Sequence, residues 1–309
     1  MVLDIVLIVI GVALVLSGAD RLTEGASALA RRMNVPEIII GLTIVAAGTS
    51  APELFVSMVS ALKGTPDMAV GNVVGSNTMN AMLIVGCAAM VAPMTISRST
   101  VKKDIPFAVG ASVLLMLLSL NSFLGRWDGI VLLLGFACFM VYTLMQARKG
   151  AAEPAAEAKP MNPWLSALWV VAGLAMLVVG SNLFVDAASS VALSMGISEG
   201  VVGLTVVAGG TSLPELATSV VAARKGQSAI AIGNVIGSNV FNILMILGLT
   251  ATISPLQIEG ITTLDMAVML VSVALVWLFS FTKFTVERWE GAMLVIGYLA
   301  YLSWLIISL

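Results

Sequence analysis

A chain of 309 residues in which 59% of side chains are hydrophobic and only 10% are charged is no water-soluble globule, since soluble domains carry about 25% charged residues. The mean hydropathy of +1.06 says the same. The net charge of −2 says nothing about nucleic acid, and no basic cluster or aromatic-basic interleaving suggests such a partner; the absence of histidine removes the commonest transition-metal ligand and general base.

The first apolar run, 2–19, has no Lys or Arg before it, and Asp4 has the wrong sign for a signal peptide. It is predicted to be a retained span with its N-terminus outside the cytoplasm. Further runs fall near 36–61, 69–92, 104–123, 128–146, 164–184, 199–223, 230–253, 265–281 and 290–308, each near the 20 or so residues a spanning helix needs. The fold expected is therefore all-α and polytopic, with ten transmembrane helices. Between the fifth and sixth runs lies "ARKGAAEPAAEAKPMNP", from Ala147, too short for a soluble domain. The chain divides into a five-helix unit at 1–147, a cytoplasmic linker at 148–163 and a second five-helix unit at 164–309. Cys87 and Cys138 sit in apolar runs and are expected to pack rather than to pair.

Ten spans from an outside N-terminus make a test. The cytoplasmic loops then hold Arg31, Arg32, Arg98, Lys102, Lys103, Arg148, Lys149, Lys159, Arg224, Lys225, Lys283 and Arg288. The outer loops hold only Lys63 and Arg126. This is the bias of the positive-inside rule, and a shift by one span would scramble it. Both termini are then outside.

The two halves repeat. "GLTIVAAGTSAPE" at Gly41 returns as "GLTVVAGGTSLPE" at Gly203, and "GNVVGSNTMN" at Gly71 returns as "GNVIGSNVFN" at Gly233. One offset, the 162 residues between Glu53 and Glu215, relates both pairs and also "RWDG" at Arg126 to "RWEG" at Arg288. Each copy has an odd number of spans, so the second crosses the membrane in the opposite sense. Such inverted repeats build many secondary transporters, with the site at the repeat interface near the midplane.

Each copy interrupts an apolar segment with Gly-Thr-Ser-x-Pro-Glu. The plain reading is a helix start: Ser50-x-x-Glu53 and Ser212-x-x-Glu215 fit the capping box, with proline harmless in the first turn. In a membrane the balance changes. A carboxylate at the centre of a span costs about 2.5–3.5 kcal/mol even on the gentler scale, and serine alone could cap. A break also frees backbone carbonyls, which cannot face lipid. Carbonyls of Ala46, Ala47, Ala208 and Gly209, with Thr49, Ser50, Glu53, Thr211, Ser212 and Glu215, are expected to form an all-oxygen cage, the environment hard cations such as Ca²⁺ take.

In the following span Asn72, Ser76 and Asn80 share one helix face, as do Asn234, Ser238 and Asn242. Such stripes can simply join helices; Ser76, Asn80, Ser238 and Asn242 are nevertheless assigned to the site. For Asn72, Asn77, Asn234 and Asn239 the sequence does not choose. The glycine pairs Gly71/Gly75 and Gly233/Gly237 are assigned to close helix packing. Glu24 and Asp186, equivalent by the offset, are read as acids at a water boundary. Glu37 and Glu199 open their spans, where an acid suits the helix dipole.

The paired motifs resemble the two alpha-repeats of the cation/calcium exchanger superfamily, specifically the prokaryotic sodium/calcium exchangers, and the resemblance covers essentially the whole chain. It implies that spans 2, 3, 7 and 8 surround the ion sites, and that Glu53 and Glu215 ligate Ca²⁺ with Thr49 and Thr211 beside them. It further implies Na⁺ sites at Ala46, Ser50, Glu53, Ser76, Ala208, Ser212, Glu215 and Ser238, and that spans 1 and 6 slide as gating helices; the alternative for Glu24 and Asp186, that they tune gating, comes only from this resemblance. Some relatives carry aspartate where this chain has Asn242, so two formal charges are expected in the cavity rather than three. The function implied is Ca²⁺/Na⁺ antiport by alternating access in a prokaryotic inner membrane, with bound ions as cargo, no cofactor and no required oligomer. Rivals are Ca²⁺/H⁺ antiport through the same carboxylates, a cation channel and, remotely, an intramembrane hydrolase.

Overall fold

A computed structural model describes residues 2–149, 162–196 and 208–308. Most of the predicted linker lies outside these residues, as do Glu199 and Gly203. The described chain is almost entirely helical. In order it forms α1 (Val2–Met33), α2 (Glu37–Thr49), α3 (Ala51–Leu62), α4 (Pro66–Val91), β1 (Met94–Thr95), α5 (100–118), β2 (Phe123–Leu124) and α6 (Arg126–Lys149). The second half forms α7 (Pro163–Ser194), α8 (Ala208–Thr211), α9 (Leu213–Arg224), α10 (Ser228–Ile253), β3 (Leu256–Gln257), α11 (Thr263–Phe279), β4 (Thr285–Val286) and α12 (Arg288–Ser308).

Among the described residues six helices are long and apolar enough to cross a membrane: α1, α4, α6, α7, α10 and α12. A seventh is α2 with α3, bent by 46° at Ser50. Helix α11 is shorter, with 17 residues, and α5 carries Lys102, Lys103 and Asp104 in its first turns. Large apolar side chains stand exposed on the outer helices, among them Val9 on α1, Leu134 on α6 and Ile296 on α12. In water such a surface would aggregate; in lipid it is solvated.

Burial divides the bundle into two layers. The most apolar stretches of α4 and α10 are 78% and 89% buried, against 17% in α6 and α12. So α4 and α10 form the core, and α6 and α12 its wall. Helices α1 and α7 cross in close contact. A Cβ at Gly11, Gly18 or Gly25 would meet the carbonyl oxygen of Gly180, Gly173 or Ser166 at 2.8 Å. As the residue number rises on one helix it falls on the other, so these two equivalent helices run antiparallel.

The offset organises other contacts in crossed pairs. Gly86 packs on Gly291, and their equivalents Gly248 and Gly129 pack on each other. Strand β1 pairs with β4 through Met94↔Val286, and the equivalent strands β3 and β2 pair through Leu256↔Leu124, both antiparallel. Local chemistry sets the ends. Asn162 caps α7 by accepting from the Trp164 amide at 3.0 Å, and Thr262 and Asp265 form a reciprocal capping box on α11.

The glycine packing predicted for the GxxxG pairs holds for the second copy. Gly233 lies against Gly41, and Gly237 against Leu42 and Ala46 of α2. The equivalent partners of Gly71 and Gly75 would fall at 203–208, almost wholly outside the described residues.

Candidate functional site

Pro52 and Pro214 lack the N–H that the carbonyls of Gly48 and Gly210 would otherwise receive four residues later. Each helix therefore breaks just before its glutamate. On the second copy the freed Gly210 carbonyl accepts from Ser181 of α7 at 2.6 Å. The Ala46 carbonyl, expected to be freed as well, is not: it accepts the Ser50 amide at 3.0 Å and lies 3.4 Å from the Thr49 hydroxyl. The carbonyl that Pro52 frees is that of Gly48, two residues later.

The capping box does not form at either break. Neither Ser50 nor Ser212 bonds the start of its own short helix. Each reaches across to the other copy instead. Ser50 Oγ donates to Glu215 Oε1 at 3.0 Å, and Ser212 Oγ donates to Glu53 Oε1 at 3.2 Å. Each glutamate therefore sits within reach of the serine one turn before the other glutamate, and the two short helices meet head to head. Both carboxylates are buried, Glu53 at 0% and Glu215 at 1% exposure. Thr49 is buried and donates to Asn234 Oδ1 at 3.0 Å; Thr211 lies beside Glu53.

The asparagines left open by the sequence separate into two kinds. Asn72 Nδ2 donates to the Glu53 carbonyl at 3.2 Å and to Ser57 Oγ at 2.9 Å. Asn234 Nδ2 donates to the Glu215 carbonyl at 3.3 Å and to Ser219 Oγ at 3.0 Å. These two fasten each glutamate's backbone to the helix that follows. Asn77 and Asn239 tie α4 to α10, each donating to the other's carbonyl, at 3.2 and 3.4 Å. Their side-chain oxygens accept in turn from the site residues. Asn80 Nδ2 donates to Asn239 Oδ1 at 3.1 Å, and Asn242 Nδ2 to Asn77 Oδ1 at 3.0 Å.

That arrangement uses the NH₂ ends of Asn80 and Asn242 and leaves their oxygens over. Asn80 Oδ1, Asn242 Oδ1, Ser238 Oγ, Glu53 Oε2 and Glu215 Oε2 are buried and have no hydrogen-bond partner among the described residues. Native proteins leave few buried polar atoms unsatisfied, and each one calls for an explanation. Here five oxygens lie on the faces that the two motifs share. Ser76 is buried on α4, one turn before Asn80. Helices α4 and α10 also pass into wider π turns beside these residues, at Asn80–Ile84 and Phe241–Leu247; single π turns inside α-helices are frequent at functional sites. Ala46 is fully buried, and Ala208 opens α8. No group of three or more His, Cys, Asp or Glu residues able to hold a metal occurs among the described residues. With two acids, a cation here would draw its other ligands from neutral oxygens.

The family model for sodium/calcium exchanger proteins matches residues 3–145 and again 165–307, one match on each half. The chain belongs to the sodium/calcium exchanger family. Relatives within and around that family match it end to end. The inner membrane protein YrbG of Escherichia coli is 37% identical over 99% of this chain and 97% of its own. The sodium/calcium exchanger MaX1 of Methanosarcina acetivorans is 31% identical over 97% of each. A structure of the sodium-calcium exchanger NCX_Mj, soaked with Na⁺ and Ca²⁺, superposes with a TM-score of 0.86 at 30% identity over 98% of both chains.

Sequence reasoning missed Ser57 and Ser219, which hold Asn72 and Asn234, and left Asn77 and Asn239 without a role. Asn77 and Asn239 are equivalent by the offset, but the offset does not show that equivalent residues touch, and the bonds they accept from Asn242 and Asn80 join residues that are not equivalent. A serine 15 residues before the asparagine of each glycine–asparagine step, the same separation in both copies, was the available signal.

Proposed function

We propose that the protein exchanges Ca²⁺ for Na⁺ across a prokaryotic inner membrane by alternating access to one shared midplane cage. The observation that carries this reading is the reciprocal pair of buried glutamates. Each is fixed by the other copy's serine, and each keeps one oxygen with no donor among the described residues. Two carboxylates cannot both stay charged in a dry interior, because each carries a desolvation penalty of several kcal/mol. A divalent cation neutralises both at once, and Na⁺ ions can do so in turn. A protein that changes access only when the pair is neutral couples the two fluxes, since a ligand shifts a conformational balance only through differential affinity.

In this reading Glu53 and Glu215 are the central Ca²⁺ ligands, with Thr49 and Thr211 beside them. Asn80 and Asn242 present their side-chain oxygens, oriented by Asn239 and Asn77. Ser50, Ser212, Ser76 and Ser238, with the backbones of Ala46 and Ala208, serve the Na⁺ positions. The names of MaX1 and NCX_Mj as sodium/calcium exchangers support the ion pair, and the name of YrbG supports the inner membrane.

The reading also takes the chain as ten spans in two inverted copies. It adds α5, its equivalent α11, and the broken segment ending in α8 and α9 to the seven strong candidates. The antiparallel contact of α1 with α7 and the crossed strand pairs support inversion. The positive-inside bias then places both termini outside.

The test is vesicle exchange. Purified protein in sealed vesicles loaded with Na⁺ is diluted into Na⁺-free buffer, and Ca²⁺ uptake is followed with and without a pH gradient. Uptake driven by the Na⁺ gradient alone supports the assignment. Uptake that needs only the pH gradient makes H⁺ the counter-ion and overturns it.

A further inference from the structure

Helices α1 and α7 are equivalent by the offset, yet they are not placed alike against the short helices that follow the breaks. Helix α1 lies along α9, where Val12 and Leu16 share an apolar lining with Leu216, Ala217 and Val220. Helix α7 makes no comparable contact with α3. The offset turns Ala217 into Phe55; Ala217 is 8% exposed and Phe55 75%. One short helix is covered and its equivalent is bare.

The covered contact ends in a cluster of charge. Lys225 Nζ, just past α9, lies 2.6 Å from Asp20 Oδ1 and 3.3 Å from Glu24 Oε1 of α1. It also donates to the Asp20 carbonyl at 3.0 Å and to Thr23 Oγ1 at 3.2 Å. Subtracting or adding 162 turns Lys225 into Lys63, Glu24 into Asp186, Asp20 into Asn182 and Thr23 into Val185. Lys63 and Asp186 are both exposed, and neither forms an ion pair among the described residues.

We propose that these two sets of residues are alternative ionic latches. Lys225 with Asp20 and Glu24 holds the arrangement in this structure, and Lys63 with Asp186 closes when the α1–α7 pair leans on α3 instead. The proposal rests on the alternating-access reading above. The glycine contacts hold α1 and α7 backbone to backbone, so the pair moves together and cannot cover α3 and α9 at once. The latches are unequal. Lys225 engages two acids and two neutral oxygens, whereas its equivalent has one acid and an amide to meet. The substitutions at Asn182 and Val185 therefore bias the ion-free protein toward the arrangement seen here. The groups are partly exposed, so the bias is modest and weakens with salt.

The test places nitroxide labels in a Cys87→Ala, Cys138→Ser background and measures two distances by pulsed electron resonance. One pair, at Arg32 and Arg224, spans the ends of α1 and α9. The other, at the equivalent positions Ser194 and Leu62, spans the ends of α7 and α3. Lys225→Gln is expected to lengthen the first distance and shorten the second in a fraction of molecules, shifting the population ratio about two- to fivefold, the weight of a partly exposed pair. Lys225→Glu should shift it further, and Lys225→Arg should restore it. Asp186→Asn should move the ratio the other way. If Lys225→Gln gives no folded protein, Asp20→Asn with Glu24→Gln tests the same contacts. Unchanged distances, both distances lengthening together, or Asp186→Asn acting in the same direction as Lys225→Gln would overturn the proposal. Neither distance depends on which ions are carried, so a failed Na⁺/Ca²⁺ assignment would show in the flux assay and leave this readout intact.

Discussion

The centre and the flank of this molecule treat the internal repeat differently. At the centre the bonds to the glutamates and between the asparagines recur in both copies: Ser50 reaches Glu215 as Ser212 reaches Glu53, and Asn80 reaches Asn239 as Asn242 reaches Asn77. On the flank α1 covers α9 while Phe55 of α3 stands exposed, and among the described residues Lys225 forms ion pairs while Lys63 forms none. A symmetric centre can hold an ion in the same way whichever side is open. On the proposed alternating-access reading, an asymmetric flank records which side is open. The difference separates binding from access, and each can be disturbed without the other.

The largest expected effect breaks the centre. Glu53→Gln and Glu215→Gln should each weaken Ca²⁺ binding by about 3 kcal/mol, roughly 150-fold, the upper range for losing a charged hydrogen-bonding or ligating partner. The two variants should match each other within a few-fold in calcium-45 binding to detergent-solubilised protein. A large loss in one and none in the other would show that the apparent symmetry has no energetic meaning.

The next effect breaks the flank. Ala217→Phe puts a ring where α1 packs on α9 and should destabilise the present arrangement by about 1–3 kcal/mol, the usual cost of overpacking. Phe55→Ala removes an exposed ring and should leave thermal stability within about 0.5 kcal/mol. Thermal unfolding in detergent, at matched lipid content, compares the pair. Equal effects would mean that the flank is as symmetric as the centre.

Smaller effects sharpen the centre. Asn77→Leu and Asn239→Leu release the amides of Asn242 and Asn80, whose oxygens can then rotate away. Interhelical hydrogen bonds in membranes contribute about 0.6 kcal/mol and at most about 1.7, so apparent Ca²⁺ affinity should fall about three- to fifteenfold. A structural role alone would lower the amount of folded protein without changing the affinity of what folds. Ser50→Ala and Ser212→Ala remove one donor from each carboxylate and should cost about two- to tenfold in exchange rate, with the same loss for both.

Much of this was legible in the residues. The offset of 162, the breaks before Glu53 and Glu215 and the buried polar faces at Asn80 and Asn242 all follow from patterns repeated at one spacing. The Ser-x-x-Glu pattern was legible but misleading, because a serine at a helix start can bond its own chain or a neighbour, and only the packing of the other copy decides. The partners of Asn77 and Asn239 were not legible, since the offset marks these two as equivalent without showing that they meet, and the bonds they accept from Asn242 and Asn80 join residues it does not relate. Nor was the unequal flank: α3 and α9 carry the same motif, and one sequence encodes both arrangements with a small difference between them. The length of individual helices was legible only coarsely. Lys102, Lys103 and Asp104 dilute one predicted span, and its equivalent is 17 residues long.

The central claim is that Glu53 and Glu215 together grip the transported divalent ion. Calcium-45 uptake into Na⁺-loaded proteoliposomes, driven by an outward Na⁺ gradient, tests it most directly when the Glu53→Gln/Glu215→Gln double variant is compared with the unaltered chain at equal reconstitution. Uptake that falls to the level of protein-free vesicles is the expected result. Uptake undiminished in the double variant would contradict the account.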